Sequence, residues 1–367
     1  MKVAVITRHA VSNYGSLLQT IATQNVIEKL GFECEIIDYI RTDEQYNRKE
    51  LTLLKRKPNW YNNIIKRSLY ILLRQPETVF AGKKFEKYQH EYLKLSGRYS
   101  SIRQLNNNPP IADVYMTGSD QVWGTVANGE YDSSYCLSFV PDDKKKISYA
   151  ASFGHTEKSE ELNDYYKKWL SRYQHISVRE DSAVEWIRSL GLDVQQVLDP
   201  TLLLSEKDWS PYLKPIKYKN YILIYQLHND KKLGEYANKV AKKMGLKLIR
   251  ISISSHQVVR EGKFVFSPNI GEFLSYIKNA KCLITDSFHG TAFAINFNTP
   301  FVEVLPNNNT ETRNISLLKM TQLEDRILKD PNDLTLVEKK IDFSFVNKVI
   351  NEKRDESLNI MKNMIEE

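Results

Sequence analysis

The sequence predicts an α/β protein made of two Rossmann-like, doubly wound parallel-sheet domains facing across a cleft. Three observations predict it. At 367 residues the chain exceeds what a single hydrophobic core usually serves, which favours two domains. Short β-rich apolar runs alternate with helical patterns along most of the chain, as parallel strands joined by crossover helices require. A stretch at 200–215, bearing Pro200, Pro211 and Pro215, separates two such series. Domains are therefore expected at 1–205 and 216–341, with a helical tail at 342–367 able to pack back on the first.

Each element has its own signal. The run 3–7 is apolar and β-rich but too short for a signal peptide, so it reads as a first strand. A helical pattern at 16–30 stops at Gly31, and 34–38 returns as a strand, giving a βαβ opening. The loop at 9–15 lacks the spaced glycines of a dinucleotide fingerprint, so NAD and FAD are not predicted. Asn13 and Gly15 still lie where open α/β sheets bind ligands. Strands at 113–117, 146–151, 176–179 and 195–199, with helices at 157–171 and 181–190, complete the first domain. The second holds strands at 221–226, 246–251, 282–285 and 301–304, with helices at 231–244, 270–279 and 290–297.

Composition narrows the class. With 41% hydrophobic and 11% aromatic residues the chain is a packed globular protein, not a disordered one. No apolar stretch approaches the roughly 18 residues of a membrane span. Cys34, Cys136 and Cys282 are odd in number and far apart, so neither a disulfide framework nor a metal site is predicted, and the expected location is cytoplasmic. The net charge of +7 is concentrated: residues 41–103 carry 15 Lys and Arg against 6 Asp and Glu, an excess of 9 that leaves the remainder slightly acidic. This basic helical insertion contains an amphipathic pattern at 55–74 with Trp60, Tyr61 and Tyr70 among its apolar residues. Two readings stand: a helix packing its apolar side on the domain, or one lying on an anionic membrane, a peripheral contact with the inner membrane surface. No nucleic-acid-binding module is present, so no nucleic-acid partner is expected.

The densest chemistry lies at 282–304, where a short apolar strand ends in Asp286, Ser287 and His289 before Gly290 opens a buried helix. A helix N-terminus attracts anions, and a histidine there can bond a phosphate or pass a proton; the plainer reading is that it caps the helix. Asp286 could equally be that cap. The other histidines, His9, His90, His155, His175, His228 and His256, show no metal-ligand spacing, and only His9 is expected to face the cleft.

Six segments, NYGSLLQ at 13–19, GSDQVW at 118–123, ISYAASFG at 147–154, ISVRE at 176–180, VLDPT at 197–201 and TDSFHG at 285–290, together resemble the polysaccharide pyruvyl transferase family in order and spacing. The resemblance implies a GT-B-like pair of Rossmann domains and transfer of pyruvate from phosphoenolpyruvate onto two hydroxyls of a hexose in a cell-surface glycan. The product is a cyclic ketal, phosphate leaves, and no metal or cofactor is called for. The acceptor is a finished polysaccharide or its lipid-linked precursor. A GT-B glycosyltransferase using a nucleotide sugar is the alternative.

Carried over by position, the resemblance makes His289 the acid/base residue and places Arg179, Arg313, Ser287 and Gly290 on the donor, with Lys319 the alternative to Arg313. It puts Asn13, Tyr14, Ser119, Gln121 and Trp123 on the acceptor side and gives Asp120 a catalytic role. The chemistry suits these types: guanidinium forks hold a carboxylate and a phosphate, and a group titrating near neutrality can protonate the enol and later accept a proton. Plainer readings stand beside them. Arg179 could be a structural partner of Glu180 or Asp199, Asp120 a turn former and Trp123 a core residue.

Overall fold

The computed structural model describes residues 1–154, 158–306 and 310–367. The chain forms two compact units, Met1–Pro200 with Ser357–Glu367, and Thr201–Glu356.

The first unit is built on β1 (Lys2–Ile6), β2 (Glu33–Ile36), β3 (Val114–Thr117), β4 (Lys145–Ala151), β5 (His175–Val178) and β6 (Gln195–Gln196). All pair in parallel, in the order β2-β1-β3-β4-β5-β6. Strand order reverses beside β1, so β1 and β3 part there to opposite sides and open the crevice at their carboxyl ends. The expected strands overran: Thr7, Asp38, Arg179 and Asp199 lie just past the strand ends, where they work as side chains rather than as ladder residues. Helix α1 (Tyr14–Lys29) starts two residues earlier than its pattern predicts, because the Asn13 side chain caps it, accepting from Gly15 N at 2.8 Å and Ser16 N at 3.3 Å.

The insertion between β2 and β3 carries α2 (Lys49–Lys55), α3 (Pro58–Tyr61), α4 (Ile64–Tyr92) and α5 (Ile102–Asn107). The single basic helix expected at 55–74 is thus broken. Pro58 starts α3, and Asn63, accepting from Lys66 N at 3.0 Å, starts α4. Neither does the apolar side pack on the domain. Glu50 of α2 draws the polar side inward, accepting from Tyr70 Oη at 3.0 Å and Thr78 Oγ1 at 2.6 Å. Ile64, Ile65, Leu69, Leu72 and Leu73 are left 50–76% exposed. Two further helices, α6 (Glu160–Leu170) and α7 (Asp181–Ser189), cover the rest of this sheet's core; the expected start of α6 at 157 falls outside the described residues.

The second unit begins at Thr201, within α8 (Pro200–Leu203), and continues into α9 (Glu206–Trp209), so all but the first residue of the segment expected to link domains is part of this one. Buried Trp209 packs on Phe293 with ring centroids 5.3 Å apart, and Asn296 Nδ2 donates to Leu204 O at 2.8 Å. Its strands β7 (Tyr221–Tyr225), β8 (Lys247–Ser252), β9 (Lys263–Phe266), β10 (Cys282–Thr285) and β11 (Phe301–Glu303) form a parallel sheet in the order β11-β10-β7-β8-β9. Here the order reverses between β7 and β10. Around it stand α10 (Lys231–Met244), α11 (Ile270–Lys278), α12 (Phe288–Asn296), α13 (Thr312–Thr321) and α14 (Phe343–Glu366). The sequence reading missed β9, a half-exposed edge strand, and α13, whose polar first turn reads as loop. The last turns of α14 belong to the first unit, where Ser357 Oγ accepts from Leu198 N at 3.0 Å and Lys145 Nζ donates to Ile365 O at 3.0 Å.

Candidate functional site

In the first unit the crevice between β1 and β3 gathers Arg8, Ser16, Ser119 and Asp120, with Arg179 and Asp199 behind them. Asp120 has a left-handed backbone, φ 76°, and bridges to Ala151 beside a bulge in β4 where Ala150 is also left-handed at φ 52°. Non-glycine residues held there store strain, which surrounding bonds must sustain. They do: Ser16 Oγ donates to Asp120 Oδ2 at 2.5 Å, and Arg179 Nη2 lies 3.5 Å from Asp120 Oδ1.

Arg179, expected to grip the donor, is instead sealed in a cage of carboxylates. Its Nη1 donates to Asp199 Oδ2 at 2.7 Å, its Nε lies 3.5 Å from Glu180 Oε2, and its side chain is 1% exposed. Burial alone would lower its pKa, but Asp199, Glu180 and Asp120 together raise it. One guanidinium among three carboxylates is a poor site for a dianion, so this geometry favours the plainer reading, a structural partner of Glu180 and Asp199, over the expected donor role. Ser119 is also internal, donating to Asp199 Oδ2 at 3.0 Å.

Several residues expected on the acceptor side are core residues. Trp123 is 2% exposed, its Nε1 donates to Tyr135 O at 3.3 Å, and its ring meets Phe153 and Tyr173, so no sugar can stack on it. Tyr14 is 1% exposed against Phe85, ring centroids 5.3 Å apart. Buried His9 does not face solvent but sits between Asp38 Oδ1 at 3.1 Å and Thr7 O at 3.3 Å; His155 lies outside the described residues. Asn13 and Gln121 remain half-buried at the crevice rim. Gln121 lies over Gly154, φ 76°, where an added Cβ would come within 2.7 Å of its amide carbon. Sequence reading missed Arg8; its place directly after β1 was the available signal.

In the second unit Ser287, not Asp286, caps α12, accepting from Gly290 N at 3.2 Å. Asp286 turns to the facing loop, accepting from Leu227 N at 2.7 Å and His228 N at 2.9 Å, with His228 Nδ1 3.3 Å from its Oδ2. His289 stands in the first turn of α12, 6% exposed, its ring edge-on to Phe288 at 5.1 Å. Gly290 is required sterically: a Cβ would lie 2.7 Å from Thr285 Oγ1 and 3.2 Å from Tyr225. Arg313, in the first turn of α13, places its guanidinium 6.0 Å over the Phe288 ring, whereas exposed Lys319 stands in the last turn of that helix. Six residues of helix separate them by about 9 Å along the axis, so of the two it is Arg313 that stands against Phe288, the neighbour of His289. Beneath α12, wholly buried Glu303 accepts from Thr291 Oγ1 and from Asn314 Nδ2, the latter at 2.6 Å, and burial pushes its pKa up to about 8. Among the described residues no cluster of three His, Cys, Asp or Glu is arranged to hold a metal.

Two parallel α/β sheets, each with its polar residues at the carboxyl ends flanking its switch point, define the GT-B-like class. Arabidopsis thaliana UGT89C1 shares the fold at a TM-score of 0.51 and 10% identity, over 99% of both chains, and its complex with quercetin at 0.52, 11% and again 99% of both. UDP-GlcNAc 2-epimerase of Methanocaldococcus jannaschii aligns at 0.48 and 12% identity over 96% of this chain and 92% of its own. No curated protein matches the sequence. The polysaccharide pyruvyl transferase family model matches residues 13–309, and the chain belongs to that family.

Proposed function

We propose that the protein moves pyruvate from phosphoenolpyruvate onto two hydroxyls of a hexose in a cell-surface glycan, as a cyclic ketal. The observation that carries this reading, beside the family, is a buried imidazole in the first turn of α12 with a guanidinium over the adjacent ring. In this reading Arg313 and the N–H groups of α12 hold the donor's anionic groups. His289 protonates the enol methylene, leaving C2 electrophilic. A sugar hydroxyl adds to C2 and loses its proton to solvent; phosphate departs with the C–O electron pair; the second hydroxyl then adds to C2 and passes its proton to the imidazole that had given up its own. Ser16 and Arg179 orient Asp120 for the acceptor. Neither metal nor cofactor enters the scheme, phosphoenolpyruvate being a substrate.

The acceptor is proposed to be lipid-linked and the enzyme cytoplasmic, lying at the inner membrane surface. The support is the insertion: exposed Ile64, Ile65, Leu69, Leu72 and Leu73 run along α4 among Lys66, Arg67 and Arg74, as an interfacial helix on anionic lipid requires. Among the described residues no helix is long and apolar enough to cross a membrane.

The test incubates candidate glycans with enzyme and phosphoenolpyruvate. Mass spectrometry should find one pyruvate added less one water, with phosphate released in step. Thermal shifts supply the contrast: phosphoenolpyruvate should raise the melting temperature and nucleotide sugars should not. Stabilisation by a nucleotide sugar alone would reverse the assignment in favour of glycosyl transfer.

A further inference from the structure

A second polar feature of the first unit lies outside the scheme above. Beside the carboxyl end of β1 is a cavity of about 240 Å³ lined by Arg8, Lys49, Arg56, Glu44, Tyr39 and Tyr135, among others. Three of its lining side chains are cationic and Glu44 alone is acidic. That carboxylate is already engaged, accepting from Arg8 Nη2 at 3.0 Å and from Ala127 N at 3.0 Å. The Arg8 guanidinium lies 5.4 Å over the Tyr135 ring, and its buried Nη1 has no hydrogen-bond partner among the described residues. Burial first, with Arg8 adding to it, depresses the Lys49 ammonium in spite of Glu44 and Glu50. Among the lining side chains cations outnumber carboxylates three to one, although Asp120 and Asp132 nearby join Glu44 in holding Arg8 charged.

Two of the cations come from the insertion: Lys49 opens α2 and Arg56 is its C-cap. The same insertion carries the exposed apolar face of α4, which packs on α2 through Glu50. The basicity seen in the sequence thus divides, part lining a cavity at the sheet's switch point and part accompanying the apolar helix.

We infer that the Arg8–Lys49–Arg56 cavity binds a phosphate or diphosphate group. Arginine forks and a lysine point charge are the side chains that recognise phosphate oxygens, and the volume admits such a group. The favoured source is the phosphate that joins a glycan to its lipid carrier, since the insertion that lines the cavity also bears the lipid-facing helix; this choice of source rests on the proposed function. The other source is the phosphate of phosphoenolpyruvate.

The experiment titrates the full chain, by calorimetry at low salt, with inorganic pyrophosphate, a short-chain alkyl diphosphohexose and phosphoenolpyruvate. Wild type should bind pyrophosphate, and Lys49→Gln and Arg56→Gln should each weaken it about tenfold, because each removes a charge-assisted contact. Arg56 is exposed and Lys49 half-buried, so folding of each variant is checked by thermal melting. A parallel loss for the diphosphohexose assigns the cavity to the carrier, and a parallel loss for phosphoenolpyruvate assigns it to the donor. Either supports the inference. Affinities within twofold of wild type for all three probes would overturn it. Binding is read without turnover, so an enzyme that holds pyrophosphate through these cations but releases no phosphate from phosphoenolpyruvate refutes the proposed reaction and leaves the anion site standing.

Discussion

Arg179 shows how the surroundings of one side chain set its role. Its type and position suited an anion-binding fork, but three carboxylates occupy the fork before any ligand arrives. Arg179→Ala should therefore act mainly on stability, since removing one partner strands buried charges; a loss of about 3–5 kcal/mol is expected in urea unfolding. Donor affinity, measured on whatever folded protein remains, should change little. His289 is the opposite case. Its buried ring stands edge-on to Phe288 in the first turn of α12, outside the strands that build the sheet. His289→Ala should lower phosphate release at least about 100-fold, as loss of a proton-transfer group does, while the melting curve stays near wild type. Near wild-type turnover would end the acid/base assignment.

Helix α4 makes the corresponding case for a whole element. An amphipathic helix normally turns its apolar face to the core, and here the polar contacts through Glu50 fix the reverse orientation. Wild type should float with anionic vesicles at low salt and be released as salt screens the lysines and arginines. Leu69→Glu with Leu72→Glu should abolish flotation and leave transfer to a water-soluble acceptor unchanged. Retained flotation in that variant would place the membrane contact elsewhere. Helix α12 is fixed as closely: Ser287 caps it, Gly290 lets it press on β10, and Thr291 bonds Glu303 below.

For the molecule as a whole, Glu303 should set part of the response to pH. Burial raises its folded pKa to about 8, well above the ordinary glutamate range, so the folded state keeps a proton that the unfolded chain gives up. Its stabilising contribution is complete at acid pH and is lost as pH rises towards 8, with a slope of up to about 1.4 kcal/mol per pH unit. Glu303→Gln keeps the shape without the proton. Chemical denaturation between pH 5 and about 9 should show that slope in wild type and its absence in the variant. Equal pH dependence in both would show that Glu303 ionises freely.

Much of this was legible beforehand. Two series of alternating strands and helices, Gly31 as a helix stop and the turn after the strand ending at Thr285 are local patterns, so periodicity and cap chemistry reveal them. The strand-to-helix junction at His289 was visible for the same reason. Contacts between residues far apart in the chain were not. Arg179 meets Asp120 and Asp199, Trp123 sinks among Phe153 and Tyr173, and Arg8 is brought to Lys49 and Arg56, across separations no periodicity encodes. Local sequence specifies which face of an element is apolar; the partner that covers that face, or leaves it bare as on α4, is chosen by packing and buried charge once the chain has closed on itself.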